Sequence, residues 1–223
     1  MSAYRERASI LPGAVVWERE LRESSVARVL PDGCMDIIWA DGVLIVAGAD
    51  TTATISSEPA AYTGLRFAPG DAPAILGVPA SELRDQRVPL DALWPAATVR
   101  RLTDRVTAAA DRGAALEEIA FSLRRPTDPA VAGIVASLSA GASVAETADV
   151  VDMGERRLHR RCLDAFGYGP KTLARILRLQ RALELARAGV GFATVAVETG
   201  YADQAHLSRD VRSLAGVPLG ALV

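Results

Sequence analysis

Seven polar side chains near the C-terminus are of the types that hydrogen-bond to DNA bases. They fall into two clusters: Arg156, His159 and Arg160 in the first, and Gln204, His206, Ser208 and Arg209 in the second. Arginine can donate two hydrogen bonds to a guanine edge, and glutamine can both donate to and accept from an adenine edge. Each cluster therefore predicts a surface that binds nucleic acid. Phosphate contacts, or solvent and intramolecular ion pairs, remain the alternatives for the arginines.

The two clusters lie in an internal repeat. The segment "VAETADVVDMGERRLHRRCLDAFG" (144–167) aligns with "FATVAVETGYADQAHLSRDVRSLAG" (192–216) after one inserted residue. The matched pairs are Ala148 with Ala196, Asp152 with Gly200, Leu158 with Leu207, Arg160 with Arg209, and Gly167 with Gly216. Each copy predicts a short helix, a tight turn and a longer helix. This is the helix-turn-helix unit, whose second helix can enter a major groove.

A long helix is predicted between the two units, over residues 170–188. Gly169-Pro170 is typical of a helix start, and the apolar positions then recur at helical spacing. Eighteen residues of helix span roughly 27 Å, which suits two recognition helices about one DNA turn, ~34 Å, apart. Ser143 and Glu146 have the spacing of a capping box at the start of the first unit. We therefore place the units at about 143–167 and 192–216.

For several neighbouring residues, a role other than contact with a base is the favoured interpretation. Asp203 is expected to cap the second recognition helix rather than to contact a base. Arg157 and Arg161 are expected to face phosphates or solvent. Cys162 falls on the apolar face with Leu158, where a small core side chain is favoured and a redox switch is the alternative.

The N-terminal part has a different periodicity. Short runs rich in β-branched and aromatic residues predict strands: 14–20, 34–40, 43–48 and 62–67. Asp41-Gly42 between two of them predicts a hairpin. Short helices are expected from Asp71 onward, and Asp128-Pro129 marks a new helix start after a proline-rich segment. The predicted fold class is α+β. A small β-barrel or sandwich with trailing helices, residues 1–125, precedes an all-α domain, residues 126–223.

One charged pair stands out in the predicted strands. Asp36 lies on the face of Cys34 and Ile38, and Arg66 alternates with apolar neighbours. The carboxylate and the guanidinium could satisfy each other, or they could bind a polar effector or face solvent. Asp36 and Arg66 are therefore the candidate effector-binding residues.

Composition excludes several classes of protein. A formal net charge of -2 excludes a uniformly basic coat, although a local basic patch remains compatible with it. The two cysteines are far apart and lack zinc-ligand spacing, so no metal or cofactor is expected and a reducing cytoplasm is the expected location. Charges interrupt every apolar run of membrane-spanning length.

The C-terminal residues carry a family resemblance. "RLQRALELARAGVGFATVAVET" followed by "GYADQAHLSRDVRSLAGVP" resembles the signature of the AraC/XylS family of transcription regulators. The likeness covers about residues 131–223. It implies seven helices with two helix-turn-helix units, double-stranded DNA as partner, and RNA polymerase as a further partner of an activator. "LPDGCMDIIW" (30–39) resembles a domain of unassigned role that precedes such DNA-binding domains. A homodimer is a further possibility that the sequence leaves open.

The leading hypothesis is a sequence-specific DNA-binding transcription regulator that binds two adjacent major grooves. Its N-terminal domain would respond to a small molecule or a protein. The alternative is a DNA-targeted enzyme with repair or small-molecule chemistry in the N-terminal domain. Both histidines lie on predicted recognition helices, and no catalytic triad or phosphate loop is evident, so we expect no enzyme activity and assign no catalytic residue.

Overall fold

The N-terminal region is built on an antiparallel sheet. The computed structural model describes residues 3–21, 26–57, 60–124 and 128–223. The strands are β1 (Ala3–Ala8), β2 (Val15–Leu21), β3 (Ala27–Val29), β4 (Asp36–Ala40), β5 (Val43–Ala47), β6 (Thr54–Ser56), β7 (Ala60–Arg66) and β8 (Arg87–Pro89). Within these residues, six strands pair in the order β1-β2-β7-β4-β5-β8, and β3 pairs with β6.

This topology confirms the α+β class and refines its first half. The order of the large sheet is linear, so β1 and β8 are its two edges and the described strands form an open sheet rather than a closed barrel. The hairpin predicted at Asp41-Gly42 joins β4 to β5, with Ala40 opposite Val43. Both turn residues have positive φ, 44° and 85°, as a two-residue turn between twisted strands requires.

Helices cover one face of the large sheet. α1 (Ala72–Leu76), α2 (Ala96–Ala108) and α3 (Arg112–Leu123) follow the strands, with single 3₁₀ turns at Ala80–Glu82 and Leu90–Ala92. The Trp39 indole N–H donates to Thr107 Oγ1 over 2.9 Å, and the Arg112 guanidinium lies 4.1 Å from the Trp39 ring centroid. Arg7 on β1 bonds both carboxylate oxygens of Glu117 on α3. These contacts fix the helical layer against the sheet.

The regular secondary structure of residues 128–223 is entirely helical. Its helices are α4 (Pro129–Ser139), α5 (Val144–Val150), α6 (Glu155–Phe166), α7 (Pro170–Arg187), α8 (Phe192–Glu198) and α9 (Gln204–Ala215), and a 3₁₀ turn follows at Leu219–Ala221. Asp128 caps α4 by accepting from the Ala130 N–H, and α7 begins at Pro170 as predicted. The capping box of Ser143 and Glu146 is formed at the start of α5. The resemblance implied seven helices, and the last one is reduced to the 3₁₀ turn.

Two apolar cores hold these helices. The first runs from Leu11 in the sheet region to Ile176 on α7, so the N-terminal layers and the first helix-turn-helix unit share it. The second begins at Leu179 on α7 and contains α8 and α9. α7 is thus buried at both ends against different partners. The domain boundary predicted between residues 125 and 126 lies outside the described residues.

Candidate nucleic-acid interface

The first recognition helix, α6, has one buried and one exposed face. Leu158, Cys162 and Phe166 repeat every fourth residue and have no exposed surface. Arg156, His159 and Arg160 lie on the exposed face. α6 contacts α5, and Ala148 on α5 is buried in the same core as Leu158. Because the apolar side chains of α6 pack into the core, the polar side chains on its other face point toward solvent.

The second recognition helix, α9, repeats this arrangement. Leu207, Val211 and Ala215 occupy the positions equivalent to the buried residues of α6 and are buried in turn. Gln204, Ser208 and Arg209 are exposed. The two units thus present polar side chains from corresponding faces, mainly from the first half of each helix.

The helix cap predicted at Asp203 is present. Its Oδ1 atom accepts the backbone N–H of His206 over 2.6 Å, which satisfies a donor of the first turn of α9. The side chain is therefore committed to the helix start. Arg161 is similarly occupied, since its guanidinium lies 2.5 Å from Asp128. This is an intramolecular ion pair, and a contact between Arg161 and a phosphate stays a prediction.

The two histidines differ in their surroundings. His159 is exposed on α6 and its ring lies against Gly169, where an added Cβ would stand 2.8 Å from Nε2. His206 is half-buried: its Nδ1 accepts from the Ala202 N–H over 3.4 Å, and its ring meets Tyr201 edge to face. His206 therefore also supports the turn before α9, and its role at DNA stays a prediction.

A polar network that the sequence analysis missed fixes α9 against α7. Arg175 on α7 donates from Nε to Oδ1 of Asp210, and the Tyr201 hydroxyl donates to Oδ2 over 3.0 Å. Arg178 lies 4.5 Å above the Tyr201 ring. Burial, followed by the Asp210 carboxylate, raises the pKa of Tyr201 and keeps its hydroxyl a donor. The available signal was the position of Asp210, three residues after Leu207 on the buried face.

Asp36 and Arg66 meet in the sheet, which is one of the three alternatives that the sequence left open. Arg66 Nε lies 3.4 Å from Asp36 Oδ1 and 3.2 Å from Asp32 Oδ2, and the Trp17 indole donates to Asp36 Oδ2 over 2.9 Å. Burial raises the pKa of Asp36, while Arg66 opposes that rise. The pair is therefore mutually satisfied, and 27% of the Arg66 side chain remains exposed.

The two thiols lie in environments that keep them protonated. Burial, followed by the Asp32 carboxylate, raises the pKa of Cys34 well above its ordinary value. Burial alone raises the pKa of Cys162 to about 12. A nucleophilic or redox cysteine needs the thiolate at neutral pH. Neither environment favours it.

An open groove lies apart from the Asp36–Arg66 pair. It has a volume of about 380 Å³ between the start of β5 and α2. Its apolar walls include Val43, Leu44 and Val99, and charged residues such as Arg100 and Asp104 line its rim. The volume is near the lower end for small-molecule sites.

The recognition helices α6 and α9 are each the second helix of a helix-turn-helix unit, and the single helix α7 joins the two units. This arrangement defines a tandem helix-turn-helix DNA-binding protein. Residues 147–222 match the family model of a helix-turn-helix domain, and residues 14–89 match a domain of unknown function, DUF6597. The first match covers the part of the chain that resembles the AraC/XylS family in sequence, and it confirms an AraC-type helix-turn-helix domain there. None of the described helices has both the length and the hydropathy to cross a membrane.

Solved structures support the fold. The chain is similar to an apo variant of ToxT from Vibrio cholerae, with 11% identity, 97% of this chain and 100% of that chain covered, and a TM-score of 0.50. A second ToxT structure from Vibrio cholerae gives 10% identity, 94% and 97% coverage, and a TM-score of 0.50. No curated protein matches the chain by sequence. At such low identity the likeness concerns the fold alone.

Proposed function

We propose that this chain regulates transcription by placing α6 and α9 in two successive major grooves on one face of the DNA. The observation that carries the proposal is the matched exposure of the two helices. Both present hydrogen-bonding side chains from their first half, and both bury the same three positions on a supporting core. The strut between them, α7, has 18 residues and spans roughly 27 Å. That length, with the helix widths, suits about one DNA turn.

The seven predicted side chains differ in the DNA groups to which they can bond. Arg156, Arg160 and Arg209 are suited to guanine edges or phosphates, and Gln204 to an adenine edge. Ser208 can bond either a base or a phosphate. The two histidines are proposed to contribute less to DNA binding, because each also packs against the turn beside its helix.

A footprint with the purified protein tests the proposal. On the region upstream of its own gene, we expect two protected patches about ten base pairs apart on one face of the duplex. Binding should weaken steeply with salt, because phosphate contacts release counterions. Arg160→Ala should reduce affinity, whereas Arg5→Ala on the exposed edge strand β1 should not. A single protected patch, or none on any genomic fragment, would contradict the proposal.

For the signal, we propose that a polar effector contacts the exposed part of Arg66 beside Asp36. The guanidinium already bonds Asp36 and Asp32 through Nε, and the effector would have to use its remaining donors. Small-molecule screening by thermal shift tests this with wild type and Arg66→Lys. A ligand whose shift is lost in Arg66→Lys supports the site. A ligand whose shift is instead lost in Arg100→Ala would place the effector in the groove over β5.

A further inference from the structure

The N-terminal region contacts the C-terminal ends of both recognition helices. The Arg84 guanidinium donates over 3.4 Å to the carbonyl of Gly167, the C-cap residue that follows α6. The Arg28 guanidinium donates to the Ala215 carbonyl at the end of α9 over 2.7 Å. The last carbonyls of a helix have no partner within it and carry the negative end of its dipole, so a cation there is favourable. Two arginines from one region thus hold two equivalent helix ends.

Backbone contacts reinforce each arginine. The Ala53 N–H, next to β6, donates to the Leu214 carbonyl over 2.7 Å. At the other unit, a Cβ added to Gly167 would lie 3.1 Å from the Ala80 carbonyl oxygen. Gly167 also has a φ of 82°, which glycine adopts without strain. The N-terminal region therefore approaches both helix ends closely, through β3 and β6 at one and the 3₁₀ turn at the other.

The strut between the two units is held by the same region. Gln180 on α7 donates from Nε2 to the Pro31 carbonyl over 2.6 Å. Pro31 lies three residues after Arg28, so one short segment reaches from α9 to α7. We call Arg28, Pro31, Ala53, Ala80 and Arg84 the brace.

Within the described residues, α7 is the main connection between the two recognition helices besides the brace and Leu30, which packs against the second core. Among the described residues the first core ends on α7 at Ile176 and the second begins at Leu179, so the two cores meet along a single helix. A single helix bends gently along its length. A second connection through the sheet region closes a ring and restricts both the distance and the rotation between α6 and α9.

We propose that Arg28 and Arg84 are positioning residues that make the N-terminal region determine which half-site spacing the protein accepts. The inference rests on the proposed function. It concerns spacing rather than base identity, because the brace touches the second half of each recognition helix. The first halves, which carry the predicted base contacts, stay exposed while the brace is in place.

A spacing series tests this with the full chain. The two half-sites found by footprinting are placed on duplexes with one or two base pairs removed or added, each pair moving a half-site by about 3.4 Å and about a tenth of a turn. Wild type should prefer one spacing. The preference is measured as the ratio of the Kd at a neighbouring spacing to the Kd at the best spacing. In Arg28→Ala this ratio should fall by about tenfold, because a hydrogen bond from a charged donor contributes a free energy that corresponds to about that factor or more. Arg84→Ala should show the same trend from the other helix.

Controls separate positioning from general damage. Arg28→Lys keeps a cationic donor and should retain much of the spacing preference. Arg5→Ala should leave it unchanged. Spacing ratios in Arg28→Ala and Arg84→Ala that equal those of wild type would overturn the inference, as would tighter binding at every spacing, which would make the brace inhibitory. Failure of wild type to bind any duplex would instead reject the proposed function.

Discussion

The guanidinium of Arg175 on the strut helix bonds the carboxylate of Asp210 on the second recognition helix, and the Tyr201 hydroxyl bonds the same carboxylate. Asp210 is 9% exposed, so its charge is stabilised by these two donors rather than by water. Asp210 therefore helps to hold α9 against α7.

Asp210→Ala should lower the free energy of unfolding by about 2–4 kcal/mol, because it leaves Tyr201 and Arg175 without their acceptor. Chemical denaturation measures the change. Asp164→Ala, an exposed aspartate on α6, is the matched control and should stay within about 0.5 kcal/mol of wild type. Equal stabilities for the two variants would contradict the structural role of Asp210.

Glu117 should make the junction of β1 and α3 sensitive to acid. Burial raises its pKa, but the bonds from Arg7, Ser9 and Ile10 outweigh burial, and the net pKa lies below the ordinary 4.5. A carboxylate with a depressed pKa stabilises the fold above the unfolded-state pKa and loses that contribution as pH falls through the folded-state value. Glu117→Gln should cost about 1–2 kcal/mol at neutral pH.

The gap between wild type and Glu117→Gln should then close as pH falls below about 4.5. Urea denaturation of both proteins from neutral to acid pH measures it. Glu118→Gln is the matched control, because Glu118 forms an exposed pair with Arg105 that should contribute little. A gap that stays constant with pH would show that Glu117 acts through packing alone.

The cysteines offer a test against the alternative of a DNA-targeted enzyme that uses a thiol. Because burial raises the pKa of both Cys34 and Cys162, the native protein should react slowly with a thiol reagent at neutral pH. Both thiols should react once the chain is unfolded in denaturant. Rapid labelling of native Cys34, lost in Cys34→Ser, would contradict the protonated state inferred for it and revive the enzyme hypothesis.

Gln204 is the residue predicted to read a base through donor and acceptor together. Gln204→Ala should cost about 1–3 kcal/mol on the preferred site and should relax selectivity at one base pair. Competition binding with duplexes that vary that base pair measures both effects. An equal loss of affinity on every duplex would instead indicate a phosphate contact.

Local patterns in the sequence predicted the elements that depend on nearby residues. The Asp41-Gly42 hairpin, the caps at Asp128, Ser143 and Asp203, and the repeated apolar positions of the recognition helices all follow from short-range spacing. The short strands β3, β6 and β8 and the edge strand β1 were not predicted. β1 carries four charged or aromatic residues in six, which does not resemble a buried strand.

Contacts between distant segments were the part that local patterns could not predict. Arg28 and Ala215 are far apart in the chain, and nothing in either segment signals that a guanidinium will meet that carbonyl. The same holds for Arg175 and Asp210, whose charges could have faced solvent. The open form of the sheet also depends on strand order, which turn residues alone do not determine.

The most direct test of the central claim is selection of genomic fragments by the purified protein, followed by footprinting of the enriched sites. Two helices on one strut predict two half-sites about ten base pairs apart, with Gln204→Ala altering the base preference in one half and Arg160→Ala weakening the other. Enriched sites with a single half-site, or with both variants affecting the same half, would contradict binding by α6 and α9 in successive major grooves.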